Sequence, residues 1–188
     1  MDTSALQSLV PATASNYCVL VLTNGDTVLW ENTSVYGCTP FVDTVTINNT
    51  LYLRAESVYG SPTFNDKYML FEIEFRAPIA NAASMSQCGL LDNMIHTGNV
   101  PVSKTDAVLA FVNHTGYGTS TEYTEKLKST NGPSTVEVLS ITKIAETNGC
   151  TTFRTKAKIA NIMFGPLGCQ VPAYTIKEGL IQMDFKIK

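Results

Sequence analysis

"KYMLFEIEFRA", residues 67–77, sets how the rest of the chain is read. Met69, Phe71, Ile73 and Phe75 fall on one side of an extended strand, and Tyr68, Glu72, Glu74 and Arg76 on the other, with Leu70 the one misfit. Successive side chains of a strand point to opposite faces, so this period of two places one face in a core and the other in water. The pattern recurs in "FRTKAKIANIM", 153–163, where Phe153, Ala157, Ile159 and Met163 oppose Arg154, Lys156 and Lys158. It recurs again in "IQMDFKIK", 181–188, where Ile181, Met183, Phe185 and Ile187 oppose Gln182, Asp184, Lys186 and Lys188. Half-buried strands of this kind belong to antiparallel sheets.

Turn residues fall between such runs. Asn24-Gly25 separates "YCVLVLT" from "DTVLW", and Asn148-Gly149 separates "VEVLSITKIAET" from "CTTFRTK". Asn-Gly accepts the positive φ that a type I′ hairpin turn requires at both central positions. Asn48-Asn49, between "TVTI" and "TLYLRAE", is a third candidate, and further strands are expected near 107–113, 121–128 and 174–177. The best helical stretch is "SQCGLLDNMIHTG", residues 86–98, with Leu90, Leu91, Met94 and Ile95 as a stripe ended by Gly98. The expected fold is all-β: an antiparallel sandwich or barrel of about nine or ten strands with one short helix near 86–98.

The 188 residues suit one domain, expected over 17–188, with 1–16 as a flexible tail or tether because "MDTSALQSLVPATASN" is small, polar and broken by Pro11. That stretch lacks the basic start and apolar centre of a signal peptide, and no apolar run approaches the ~18 residues a membrane span needs. A composition 44% hydrophobic and 15% charged is globular. The 24 Thr and 13 Ser make up a fifth of the chain, and Thr favours strands. A net charge of −3 with only three arginines, Arg54, Arg76 and Arg154, argues against nucleic acid, which needs clustered cations to neutralise phosphate. The densest group, Arg154, Lys156 and Lys158, alternates along one strand and reads as a solvated face.

"SVYGCTPFVD" (34–43) returns 23 residues later as "SVYGSPTFND" (57–66). With strands assigned to 26–34, 44–47 and 50–58, the two copies are loops, 35–43 and 59–66, at the same rim. A third Tyr-Gly, Tyr117-Gly118, follows the strand that ends near 113. Tyr36, Tyr59, Phe64 and Tyr117 are therefore the candidate binding residues, as loop aromatics on a rigid scaffold. The plainer reading, which the sequence favours, is a connector used twice. There Gly supplies the turn, Phe41 and Phe64 plug the core, and Asp43 and Asp66 cap the loops through Asx turns.

The same strand order brings Cys18 to that rim beside Cys38, a candidate disulfide. Cys150 and Cys169 lie roughly 40 Å apart along one strand and cannot pair unless it is broken, whereas Cys88 is able to reach either. Two bridges and one remaining thiol suit an oxidising compartment, and no CxxC spacing suggests zinc. Asn32, Asn48 and Asn113 begin glycosylation sequons at about the frequency that chance predicts.

Signals for catalysis are thin. His96 and His114 stand in different segments, and no metalloprotease, hydrolase, phosphate-loop or EF-hand motif is present. Cys88 with Asp92 and His96 is the least poor constellation, but eight residues along a helix separate Cys88 from His96 by about 12 Å. Asn65 and Asp66 offer few ligands for calcium. No enzyme, cofactor or metal is expected.

"INNTLYLRAES", "LFEIEFRAP", "STVEVLSITKIAETNGCTTF" and "TIKEGLIQMDF" occur in the order seen in a family of small Bacteroidetes cell-surface lipoprotein domains of unknown function. The chain resembles that family over roughly residues 40 to 188. It departs from it at Arg154-Thr155, where a small residue is usual, and in lacking the lipobox cysteine. The resemblance implies export and a non-enzymatic role, and carries over no site residues. Three functions follow in order. The first is a secreted or cell-surface domain binding a protein or glycan at the loop rim. The second is a pilus, fibre or virion subunit assembling with copies of itself by strand or tail exchange. The third is a barrel carrying an apolar ligand under the 86–98 helix.

Overall fold

A computed structural model of the chain describes residues 3–31, 41–64, 67–79, 96–101, 107–115, 126–129, 135–147, 150–165 and 174–187. They form helix α1 (Ser4–Ser8) and eleven strands: β1 (Tyr17–Leu22), β2 (Thr27–Glu31), β3 (Phe41–Ile47), β4 (Thr50–Phe64), β5 (Lys67–Pro78), β6 (Gly98–Pro101), β7 (Ala107–Thr115), β8 (Lys126–Ser129), β9 (Thr135–Thr147), β10 (Cys150–Gly165) and β11 (Tyr174–Ile187). Every pairing is antiparallel. One sheet runs β2-β1-β11-β10-β9-β6 and the other β8-β7-β5-β4-β3. Among the described residues they join where the last two residues of β10, Phe164 and Gly165, pair with Ser129 and Lys128 of β8.

The two inner faces make one core. Leu20, Trp30, Ile159, Ile181, Met183 and Phe185 from the first sheet meet Leu53, Ala55, Tyr59, Phe71, Ile73 and Phe75 from the second, all of them buried. The alternation expected in 153–159 and 181–185 is observed, and in 71–75 Phe71, Ile73 and Phe75 are buried as expected, although Glu74 on the other face is buried too. The fold is a sandwich-like all-β architecture. Among the described residues the order of strands ends at β2 on one side and β3 on the other, without closing into a barrel.

Local chemistry corrects several expectations. Asn48 (φ 49°) and Asn49 (φ 63°) form the two-residue turn of the β3–β4 hairpin, with Ile47 opposite Thr50. At Asn24-Gly25 only Gly25 has positive φ (93°), and Gly25 N–H donates to the Leu22 carbonyl at 3.0 Å. That is a three-residue loop with a glycine bulge rather than a type I′ turn. Asn161, with φ 54°, interrupts the alternation of β10. Ile159 and Ile162 are both buried, so the core-facing phase changes there, and Ile162 takes the place expected of Met163. Asn tolerates the left-handed region better than most residues, so the interruption is cheap. The helix expected at 86–98 lies outside the described residues over 86–95, and Gly98 already begins β6. The short strand β6 carried no sequence signal.

Composition points to a tether for residues 1–16, yet 3–16 are docked on the outer face of the first sheet. Leu6 is buried there with Tyr17, Val19 and Leu180, beside half-buried Val10 and Ala14. The stripe Leu6, Val10, Ala14 repeats every four residues, which is the signal that polar composition masks. The first sheet is therefore covered on both sides around β1, and four of the six β1 residues are buried in succession.

Two substitutions test this packing. Gly179 lies opposite both Leu20 and Ile159, and a Cβ there would stand 2.6 Å from Leu20 Cδ2 and 2.9 Å from Ile159 Cγ1. Gly179→Ala is expected to destabilise the fold by about 1–3 kcal/mol in chemical denaturation, as overpacking does. Thr155 Oγ1 is buried in the core without a hydrogen-bond partner among the described residues. Thr155→Val keeps the shape and removes the unpaired group, so it is expected to raise stability by about 1 kcal/mol.

Candidate functional site

The repeated decapeptide does not make two loops. In its second copy, Ser57–Phe64 belong to β4, which continues to the β5 hairpin. Gly60 and Pro62 signal a loop in sequence, but the register of β4 against β5 shifts between Ser61 and Phe64 and accommodates the proline as an irregularity. Tyr59 is consequently no rim residue. It is fully buried, stacks beside Phe71 at 6.4 Å between ring centroids, and donates its hydroxyl to the Gln182 carbonyl at 3.2 Å across the sandwich. An inward position in β4 requires that, because Ala55, Ser57 and Tyr59 share the core face.

Phe64 closes β4 and pairs with Lys67, and Lys67 pairs in turn with Thr115 at the end of β7. The β4–β5 turn and the segment after β7 thus leave from one rim. Tyr117 follows Thr115 by two residues and lies outside the described residues, as does Tyr36. The first copy meets the sheet elsewhere. Phe41 pairs with Glu56, eight residues before Phe64, so β3 begins about 26 Å along β4 from the hairpin. Asp43 does not cap a loop; it stands within β3 and pairs with Arg54.

Cys18 is packed in the core opposite Trp30 and Ile181, at the end of β1 next to where β2 leads toward 32–40. Its expected partner Cys38 lies outside the described residues, as do Cys88 and Cys169. Cys150 opens β10, which runs to Gly165. No disulfide joins two described residues. His96 is exposed, while Cys88, Asp92, Asn65 and Asp66 fall outside the described residues.

One group of charges was only half legible. Glu72, Glu74 and Arg76 show their polar face in sequence, but Asp43, Arg54 and Glu56 join them only through the register. Arg54 stands opposite both Asp43 and Arg76, and Glu56 opposite Glu74. Carboxylate oxygens of Glu56, Glu72 and Glu74 lie within 4.8 Å of one another, the grouping a divalent cation would use. Two guanidiniums are already engaged with it. Arg54 Nε donates to Asp43 Oδ1 at 2.7 Å and Arg54 Nη1 approaches Glu56 Oε2 at 3.0 Å, while Arg76 Nε donates to Glu74 Oε2 at 2.9 Å. The hydrogen bond to Asp43 is the main cause that raises the Arg54 pKa, with burial opposing it and Glu56, Asp43 and Glu74 adding attraction. Like charges on neighbouring strands repel unless compensated, and here the arginines compensate. The arrangement reads as an ion-pair lattice that fixes β3, β4 and β5 in register.

Removing Arg54 leaves Glu56, whose side chain is 10% exposed, beside two other carboxylates. Arg54→Met is expected to cost about 2 kcal/mol, and Arg54→Lys to recover less than half, since an ammonium cannot reproduce the fork. Because its folded pKa is raised, the Arg54 contribution is complete below the ordinary arginine range and is lost only in strong alkali. The melting-temperature difference should therefore stay constant from about pH 6 to about pH 10.

Among the described residues no helix is long and apolar enough to cross a membrane. Comparison with known proteins finds no family model, no curated protein and no solved structure that matches the chain.

Proposed function

We propose that this chain is a non-enzymatic, exported β-sandwich domain that binds a protein or glycan at the rim formed by the β4–β5 hairpin and the end of β7. The observation that carries the reading is the double pairing of Lys67, which brings Phe64 and Thr115 to one end of the second sheet. Tyr117 follows Thr115 by two residues in the sequence. Aromatic side chains at the tip of a well-packed sheet lose little conformational freedom on binding and present large contact area, which suits both sugar rings and peptide surfaces. The sandwich beneath is held by its own core, so the rim is free to vary in chemistry without cost to the fold. Export rests on the five cysteines and on the family resemblance rather than on geometry.

A glycan array and a panel of extracellular-matrix proteins, probed with the purified chain, test this reading. Binding is expected to at least one probe, with Phe64→Ala and Tyr117→Ala each weakening it about tenfold while the melting temperature holds. Tyr59→Phe serves as the internal control: it removes the hydrogen bond to Gln182, costs about 1 kcal/mol of stability and leaves binding unchanged. Absence of binding to every probe, or binding indifferent to Phe64 and Tyr117, would overturn the proposal.

A further inference from the structure

The segment 3–16 lies on the outer face of the first sheet. Leu6, 4% exposed, is the one large side chain it buries. Gln7 Oε1 accepts from the Tyr17 hydroxyl at 3.0 Å and from Lys156 Nζ at 2.6 Å. Gln182 Nε2 donates to the Ser15 carbonyl at 2.8 Å, and the Asp184 backbone N–H donates to Asn16 Oδ1 at 2.6 Å. Helix α1 spans five residues, has no side-chain bond at its Thr3 cap, and carries no acidic residue in its first turn or basic residue in its last. Such a helix has no stability of its own. One leucine and a handful of hydrogen bonds are offset in large part by the entropy of ordering the backbone of the whole segment.

What lies beneath cannot stay bare. Tyr17, Val19 and Leu180 are almost wholly covered on a face that a sandwich usually leaves to water, and Leu29, opposite Val19, extends the stripe at 37% exposure. Between this docked end and β1 stands a hinge. Pro11, Ala12 and Thr13 are exposed, and the hinge's backbone is closed by the Ala14 N–H to Pro11 carbonyl bond at 3.0 Å. The occupant that fits the stripe, with an apolar residue for the Leu6 position and an amide for Tyr17 and Lys156, is segment 3–10 itself. A second copy of the chain carries the same segment.

We propose that residues 3–10 are an exchangeable arm. On opening of the 11–14 hinge, two copies trade arms, each seating Leu6 and Gln7 on the Tyr17–Val19–Leu180 face of the other. Identical contacts made reciprocally close a two-fold dimer, so exchange needs no new interface chemistry. The arm lies on the first sheet and the binding rim on the second, so this inference is independent of the function proposed above.

The test uses the full chain, as an equal mixture of 14N- and 15N-labelled protein, with a photoreactive benzoylphenylalanine in place of Leu9, which is 47% exposed on the arm. Irradiation at millimolar concentration is expected to join chains of unlike isotope, from position 9 to β1 or β11, with a yield that falls on dilution to micromolar. Leu6→Asp should cut that yield at least tenfold. Gln7→Ala, which leaves the apolar contacts in place, should lower it several-fold, so the readout survives if the first variant misfolds. Cross-links confined to single chains at millimolar concentration would overturn the proposal.

Discussion

Strand β10 is the constraint on which the rest of the molecule depends. It is the one strand that belongs to both sheets, pairing with β9 and β11 along most of its length and with β8 at its last two residues. Its ladder with β11 runs from Thr151 opposite Ile187 to Phe164 opposite Tyr174 and sets the level of β1, and through β1 of β2. Because a shift of one residue would turn Ala157, Ile159, Ile181 and Met183 out of the core, the hydrophobic effect enforces this register along the whole ladder. The outer side of the same ladder is locked by charge. Arg154 makes two hydrogen bonds to Asp184, which raise its pKa, and Lys158 reaches Glu137 on β9.

The two sheets treat their outer faces differently, and the difference follows from composition. On the second sheet, four carboxylates and two arginines lie across β3, β4 and β5, so that face is satisfied by ion pairing. On the first, β1 supplies Tyr17 and Val19, which no charge network can serve, and the chain covers them with its own beginning. Around β1 the sandwich is locally three layers deep. The cover is thin, with one buried leucine and side-chain hydrogen bonds, whereas the sandwich core beneath is continuous. Stability is therefore graded across the molecule, lowest at the N-terminal segment and highest along β10 and β11.

The candidate rim was partly visible in the amino-acid sequence and partly hidden by an ambiguity of turn residues. Tyr-Gly followed by Pro reads as a loop at both copies of the repeat, and the reading fails at the second because an irregular pairing absorbs Pro62 while Tyr59 finds a carbonyl across the core. Nothing in the local sequence reveals that carbonyl, since Gln182 is far along the chain. The Arg54 lattice was hidden for the same reason. Glu72, Glu74 and Arg76 alternate within one strand and can be read directly, but Asp43 and Glu56 become their neighbours only once β3 and β4 are in register. Phe64, expected within a loop, instead closes β4.

The sequence by itself determined the all-β class, the antiparallel sense of the sheets and the core faces of three long strands, because period-two patterning and Asn-rich turns act over a few residues. It also carried the Asn48-Asn49 hairpin, whose positive φ values are local preferences of asparagine. Only the tertiary structure decided that the sheets form an open sandwich, since a barrel obeys the same alternation and closure depends on whether the edge strands β2 and β3 meet. Tertiary contact likewise turned Tyr59 inward and drew residues 3–16 onto the outer face. Both outcomes rest on groups distant in sequence, Gln182 for the tyrosine and Leu180 with Lys156 for the arm, and such partners are brought together by packing alone.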